Sequence, residues 1–235
     1  MLAFLASLLG FLFITTTLLL IRLRSILHRR KPISRPRNSH PSHLLIVLGS
    51  GGHTAEMIAM LTRATTDPNN TSRLNWQDFT HRTWVISSGD SISALRAQEF
   101  EEEESQQQSK PSYTIKTVPR ARKIHQSLLS TPISCLKCLF TCVSILTERA
   151  EFPDIILCNG PATATILVFT SVLLRFFNWR DCQREDKMRT VYVESWARVK
   201  RLSLSGRLLE WVVDRFLVQW PQLAGGRREF GGVLV

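Results

Sequence analysis

The chain has 235 residues, of which 44% are hydrophobic and 21% charged, and its formal net charge is +11. Past its apolar start about 200 residues remain, enough for one domain with a substantial core and hardly for two. Seven basic residues (Arg22, Arg24, Arg29, Arg30, Lys31, Arg35 and Arg37) crowd into one short stretch and leave only +4 for the rest, a pattern that argues against a nucleic-acid-binding surface, where basic residues interleave with stacking aromatics.

In chain order, Met1–Ile21 is a nearly unbroken apolar run without an ionisable side chain. About 20 such residues span a bilayer as a helix. A cleaved signal peptide is the alternative, but the run lacks a basic start, exceeds the usual ~7–15 apolar residues and has no small-x-small site ahead of the charges. The basic cluster follows at once, and no Asp or Glu precedes Glu56. By the positive-inside rule the side after the anchor is cytosolic and the N-terminus lumenal. The chain thus divides into a single-pass transmembrane anchor (1–21), a basic, proline-stiffened juxtamembrane linker lying close to anionic lipid (22–42) and a cytosolic domain (43–235).

Within the domain, apolar runs predict strands at Leu44–Leu48, Thr83–Ser87, Tyr113–Val118, Asp154–Cys158, Thr190–Val193 and Arg215–Gln219. Helical patterns fall between them at Thr54–Ala64, Ser91–Phe100, Ser127–Thr147, Ala162–Phe177 and Ser205–Val213. This alternation predicts an α/β fold, a single Rossmann-like, doubly wound parallel sheet with ligands at the carboxyl ends of its strands. Two polar stretches, Thr65–Thr80 and the acidic, glutamine-rich Gln98–Lys110, are expected to be mobile surface loops without chemistry. Asn69 and Asn70 begin glycosylation sequons that stay unmodified on a cytosolic domain and so probe topology. Cys135, Cys138 and Cys142 share one helix face, yet no fourth ligand completes a zinc site; core cysteines are the simpler reading, and no metal is expected.

Gly49-Ser50-Gly51-Gly52-His53-Thr54, set between the first strand and the first domain helix, is the most informative segment. Glycines let the backbone turn tightly, and the N–H groups and positive dipole end of the new helix attract an anion, usually phosphate. The spacing departs from G-x-G-x-x-G, with Thr54 at the third glycine, and no Lys-Ser/Thr pair makes it a P-loop. Three further rim segments follow other strands: Pro119–Lys123 with Arg120 and Arg122, Asn159-Gly160-Pro161, and Glu194-Ser195-Trp196. His53 suits a general base or a phosphate donor. Glu56 either complements the helix dipole or faces a sugar hydroxyl. Arg120 and Arg122 could clamp a diphosphate, and Asn159-Gly160 could open a second anion site or simply start a helix.

GSGGHTAEM (Gly49–Met57), VPRARKIHQS (Val118–Ser127), CNGPATAT (Cys158–Thr165) and the long run Tyr192–Leu223, in this order behind an anchor, closely resemble the membrane-anchoring subunit of the two-part UDP-N-acetylglucosamine transferase of N-glycan assembly. The resemblance implies half of a GT-B fold at the endoplasmic reticulum. It implies GlcNAc-pyrophosphoryl-dolichol as acceptor, a soluble catalytic partner that binds UDP-GlcNAc, and no cofactor. On matching positions it implies that Gly49, Gly51, Gly52 and His53 face the acceptor diphosphate and the reacting hydroxyl. With the rim segments added, the candidates for holding the diphosphate are Gly49, Ser50, Gly51, Gly52, Thr54, Arg120, Arg122, Asn159, Gly160, Glu194 and Ser195, with His53 and Glu56 as the catalytic candidates. The segment Trp220–Val235 is a candidate partner contact. A membrane-tethered dinucleotide-dependent reductase would use the same strand–glycine–helix unit, but the acid expected about 20 residues past the glycines falls in the polar loop. A purely structural tether is the third reading.

Overall fold

A computed structural model describes residues 1–27, 42–66, 76–105, 112–121, 126–127, 130–160, 162–183, 186–232 and 234. Helix α1 (Leu2–Leu27) contains a 24-residue apolar segment, Phe4–Leu27, of mean hydropathy 2.4, long and apolar enough to cross a membrane. It runs six residues beyond the expected anchor and takes in Arg22 and Arg24. Residues 28–41, which hold the rest of the basic cluster, lie outside the described residues.

Seven strands then form one parallel sheet: β1 (His43–Val47), β2 (His81–Ser87), β3 (Ser112–Val118), β4 (Ile155–Asn159), β5 (Arg189–Val193), β6 (Arg215–Val218) and β7 (Arg228–Phe230). Their order across the sheet is β3-β2-β1-β4-β5-β6-β7. Every β1 residue is buried, as a central parallel strand covered on both faces requires. Leu45 stands level with Thr83 of β2 and Ile156 of β4, so the chain passes from β1 outward to one edge and then returns to β1's other side.

Helices α2 (Gly52–Thr66) and α3 (Ser91–Ser105) cover one face of the sheet, while α4 (Thr131–Thr147), α5 (Ala162–Phe176) and α6 (Leu204–Leu209) cover the other. Each face encloses its own core. Leu44, Ile46, Met57, Trp84 and Phe100 meet under α2 and α3, whereas Val47, Cys142, Ile156, Leu167 and Phe216 meet under α4 to α6. Burying one such side chain fully is worth about 1.5–3 kcal/mol, so two filled interfaces hold the sheet in place. Cys138, Cys142, Cys158 and Cys182 are buried and Cys135 is half-buried, all as free thiols, in keeping with the core reading.

Four expectations need correction. The acidic stretch is no loop through Ser105: it continues α3, and Glu101 is fully buried, accepting from Arg82 Nη2 at 2.7 Å and Trp84 Nε1 at 2.7 Å. The first polar stretch also holds core residues. Thr65 and Thr66 close α2, while Trp76 and Phe79 are buried, with Trp76 meeting Phe100 edge-on at 5.1 Å. Residues 67–75 and 106–111, the sequons Asn69 and Asn70 among them, lie outside the described residues. Finally, α4 starts at Thr131, with Pro132 in its first turn, and not at Ser127, and the tail contributes an edge strand, β7, that the sequence reading lacked.

Candidate functional site

Strand order reverses between β1 and β4, the two strands from which the chain departs in opposite directions, and their carboxyl ends open a crevice. Gly51 sits there with φ +65°, a left-handed turn that L side chains rarely adopt, and a Cβ on Gly51 or Gly52 would enter open space. The loop is therefore exposed to a ligand. Of the first N–H groups of α2, that of Thr54 returns to the Gly51 carbonyl at 3.1 Å, while those of Gly52 and His53 have no intrahelical acceptor by helix geometry.

Thr54 secures the loop from behind. Its buried hydroxyl donates to the Gly49 carbonyl and meets Ser93 Oγ at 2.6 Å. Ser93 in turn donates to Asp90, through its N–H at 3.1 Å and its hydroxyl at 2.7 Å. The starts of α2 and α3 are thus tied together. Asp90 and Ser93 escaped the sequence reading, though the D-x-x-S spacing after a strand is a helix-cap signature. Asp90 is also the acid nearest the end of β2, where a dinucleotide ribose would bind, and both its oxygens are engaged by Ser93.

Across the crevice, Asn159 ends β4 completely buried and donates from Nδ2 to Glu56 Oε2 at 3.0 Å. Ser195, just past β5, donates its hydroxyl to Glu56 Oε1 at 2.7 Å. Glu56 therefore binds three strand ends together, a role the sequence could not reveal because its partners lie 103 and 139 residues away. His53 Nδ1 stands 3.6 Å from Glu56 Oε2, an ion-pair distance longer than a hydrogen bond. Gly160, at φ +90°, lies directly against the imidazole: a Cβ there would come within 2.7 Å of His53 Cγ. Among the described residues the buried Asn159 Oδ1 makes no hydrogen bond, and neither does His53 Nδ1.

The charges in this group support one another. Interaction with the Glu56 carboxylate raises the pKa of His53, outweighing the opposing effect of burial. Burial pushes the Glu56 carboxyl up, but its contacts with His53, Asn159 and Ser195 more than offset this and leave it below the usual value. His53 therefore contributes stability that is present below its ordinary value of 6.5 and lost as pH rises through its folded pKa. Glu56 contributes stability that is present above its ordinary 4.5 and lost as pH falls through its folded pKa. The thermal midpoint difference between wild type and Glu56→Gln is expected to be largest between pH 4.5 and 6.5 and to shrink on both sides. A difference independent of pH would contradict the pairing.

The remaining candidates are placed as follows. Ser50 is exposed on the loop, and Arg120 lies at the rim, where its Nε donates to the Ser88 carbonyl at 3.2 Å. Arg122 lies outside the described residues. Glu194 is buried and turned toward α6, accepting from Ser203 N and Oγ, each at 3.1 Å, against the bare Cα of Gly206. Burial raises its pKa. The geometry thus gathers Gly51, Gly52, His53, Glu56, Asn159, Gly160 and Ser195 at one point, with Thr54 and Glu194 in the supporting scaffold. Among the described residues no cluster of His, Cys, Asp and Glu could hold a metal ion.

A family model described as "Oligosaccharide biosynthesis protein Alg14 like" matches residues 44–234. The chain is similar to the UDP-N-acetylglucosamine transferase subunit alg14 of Aspergillus fumigatus, with 40% identity over 235 residues covering 76% of this chain and 100% of that protein. The ALG14 subunit of Yarrowia lipolytica is 40% identical over 223 residues, covering 93% of this chain and 94% of its own. That of Rattus norvegicus is 35% identical over 209 residues, covering 88% and 86%.

Proposed function

The chain belongs to the family of Alg14-like oligosaccharide biosynthesis proteins, and from that premise we propose that it is the membrane-bound, acceptor-side subunit of a UDP-N-acetylglucosamine transferase. In this reading α1 anchors the chain in the endoplasmic reticulum membrane with its N-terminus lumenal and its sheet domain cytosolic. The crevice presents GlcNAc-pyrophosphoryl-dolichol, and a separate soluble subunit brings UDP-GlcNAc, so that the second GlcNAc is added. The orientation rests on the charge step after Ile21. Asn69 and Asn70 stay free of glycan if it is right.

The observation that carries the proposal is the open, left-handed glycine turn at the strand-order reversal. Diphosphate oxygens suit the α2 amides. The Glu56 carboxylate keeps His53 basic, which fits a base that removes the proton of the attacking hydroxyl. The partner follows from catalytic need: transfer requires the leaving diphosphate of the donor to be held as charge develops, and among the described residues one multi-glycine loop lies between a strand and a helix start, assigned here to the acceptor. The tail Trp220–Val235, which leaves β6 beside the crevice, is the proposed contact with that partner.

Gly51→Leu tests the acceptor assignment. Its side chain enters the space the diphosphate needs, and leucine is strained at φ +65°. In the assembled complex, acceptor KM is expected to rise about tenfold or more, the cost of losing one to two charge-assisted hydrogen bonds, while UDP-GlcNAc KM and subunit assembly stay unchanged. Unaltered acceptor kinetics would remove the loop from the site.

A further inference from the structure

Between Glu194 and Glu210 the chain carries Arg198, Lys200, Arg201 and Arg207 and no acid. The first three stand on the loop that joins β5 to α6, and all three are exposed. Among the described residues none of them has a carboxylate within ion-pair distance. Like charges this close repel one another, yet the loop is fastened at both ends. The buried Glu194 carboxylate accepts from the Ser195 N–H at 3.2 Å and, at the far end, from the N–H and hydroxyl of Ser203, each at 3.1 Å. Between them a turn is closed by the Arg198 N–H on the Ser195 carbonyl at 2.9 Å, with the Ala197 N–H on Ser195 Oγ at 3.3 Å. From the outer side, Trp220 Nε1 donates to the Trp196 carbonyl at 2.7 Å, the two indoles lie 5.6 Å apart, and Gln222 Nε2 donates to the Val199 carbonyl at 3.1 Å. Trp196, Ala197 and Val199 are themselves exposed, so these bonds fix the loop without giving it a core. A cationic loop held in this way is a positioned binding element.

Its position says what it binds. Ser195, at the start of the turn, donates to Glu56, the neighbour of His53. Ser203, at the end of the loop, lies 3.4 Å from Tyr192 Oη, which faces the Gly160 carbonyl at 3.5 Å. Both feet of the loop therefore rest on the crevice wall. A turn brings its first and last Cα atoms within about 7 Å, so Arg198 starts beside Ser195. Burial pushes the pKa of Glu194 and of Tyr192 up, and the Arg198 charge opposes both shifts, which sets the guanidinium near the end of β5. The loop's other flank is gripped by Trp220 and Gln222, in the tail proposed above as the partner contact. It thus stands between the acceptor crevice and the place where the donor arrives.

We propose that this loop reaches across the subunit boundary and that Arg198 holds the leaving diphosphate of the sugar donor, a nucleoside diphosphate, while Lys200 and Arg201 add to the positive potential around it. This rests on the acceptor-side reading given above. In the transfer step the acceptor hydroxyl oxygen bonds the anomeric carbon of the donor sugar and its proton passes to His53. The bond from that carbon to the β-phosphate oxygen breaks, and its electron pair leaves with the diphosphate. Charge develops on the departing oxygen, and a guanidinium fork matches phosphate oxygens in geometry and sign. The acceptor diphosphate has the α2 amides, so the cations of the loop are available to the donor. Because the donor's own subunit and this arginine must meet, turnover depends on assembly, as it does for an arginine supplied in trans to a phosphoryl-transfer site.

The test uses the full chain assembled with its soluble partner subunit in lipid. Arg198→Gln is expected to lower kcat about a hundredfold, the loss that follows removal of one transition-state donor, and to weaken inhibition by UDP about tenfold. Acceptor KM and co-purification of the partner stay unchanged. Arg198→Lys keeps the charge without the fork and should recover part of both effects. Arg207→Gln, an exposed cation on α6 outside the loop, is the reference and should behave as wild type. A raised acceptor KM with kcat and UDP inhibition unaltered overturns the proposal and gives the loop to the acceptor. Loss of co-purification overturns it in favour of a protein contact, and an effect confined to anionic vesicles overturns it in favour of headgroup phosphates. Kinetics equal to those of Arg207→Gln overturn it outright. The acceptor-side reading is judged by the acceptor KM of Gly51→Leu, which UDP inhibition does not enter, so the failure of one is distinguishable from the failure of the other.

Discussion

Glu101→Ala is expected to destabilise the sheet domain by about 3–5 kcal/mol, because it leaves a buried guanidinium without its counter-charge. Arg82 and Glu101 are 2% and 0% exposed, and the carboxylate accepts from Arg82 Nε at 2.9 Å and Nη2 at 2.7 Å as well as from the Trp84 indole. Arg82 also donates to the Phe79 carbonyl at 2.8 Å and lies over the Trp76 ring at 5.0 Å, so one charge organises the whole aromatic corner beside β2. For a domain of this size the loss corresponds to a midpoint drop of about 10 °C. The exposed pair Arg96–Glu99, on the same helix, is expected to cost less than about 1 kcal/mol when broken. Thermal unfolding of Glu101→Ala beside Glu99→Ala checks this, and equal small effects would contradict it. The double variant Arg82→Met/Glu101→Leu should recover most of the loss, since apolar replacement of a buried pair is often neutral.

The same residue marks a limit of sequence reading. In QEFEEEES the five glutamates look alike, and an acidic run without apolar anchors reads as a solvated loop. Phe100 and Glu101 nevertheless turn inward, because Arg82, 19 residues earlier, needs a buried partner. That requirement is tertiary and leaves no local trace. The strands, by contrast, were legible: apolar runs between glycine-, proline- and asparagine-marked turns identified β1 to β6 to within about two residues. β7 was missed because Arg228, Glu229 and Phe230 carry no strand pattern, and an edge strand paired on one side needs none.

The site divides in the same way. Gly51, Gly52 and His53 announce themselves by composition and by their position after a strand. Asn159, Gly160, Glu194 and Ser195 could be placed near the crevice because carboxyl strand ends converge in this fold. Which of them face inward was beyond the sequence. Ser195 turns to Glu56, while its neighbour Glu194 turns to Ser203 and α6, a choice set by the missing side chain of Gly206. Gly160 reads as helix-start chemistry and proves to be the position that gives the His53 ring its space.

The division of labour between this chain and a donor-binding subunit is the central claim, and it also carries the largest expected effect on activity. Its physical basis is that breaking the bond between sugar and nucleoside diphosphate requires held and stabilised negative charge, in amounts worth several kcal/mol, or at least about a thousandfold in rate. Among the described residues one multi-glycine loop lies between a strand and a helix start, and its amides, with His53 and Asn159 close by, are assigned to the acceptor. The most direct measurement is transfer by the purified full chain, reconstituted in lipid with UDP-GlcNAc and GlcNAc-pyrophosphoryl-dolichol, before and after addition of the soluble partner subunit. The expected result is no transfer by the chain alone and turnover once the partner is present. Sustained transfer without the partner would mean that this chain binds the donor itself and would contradict the account.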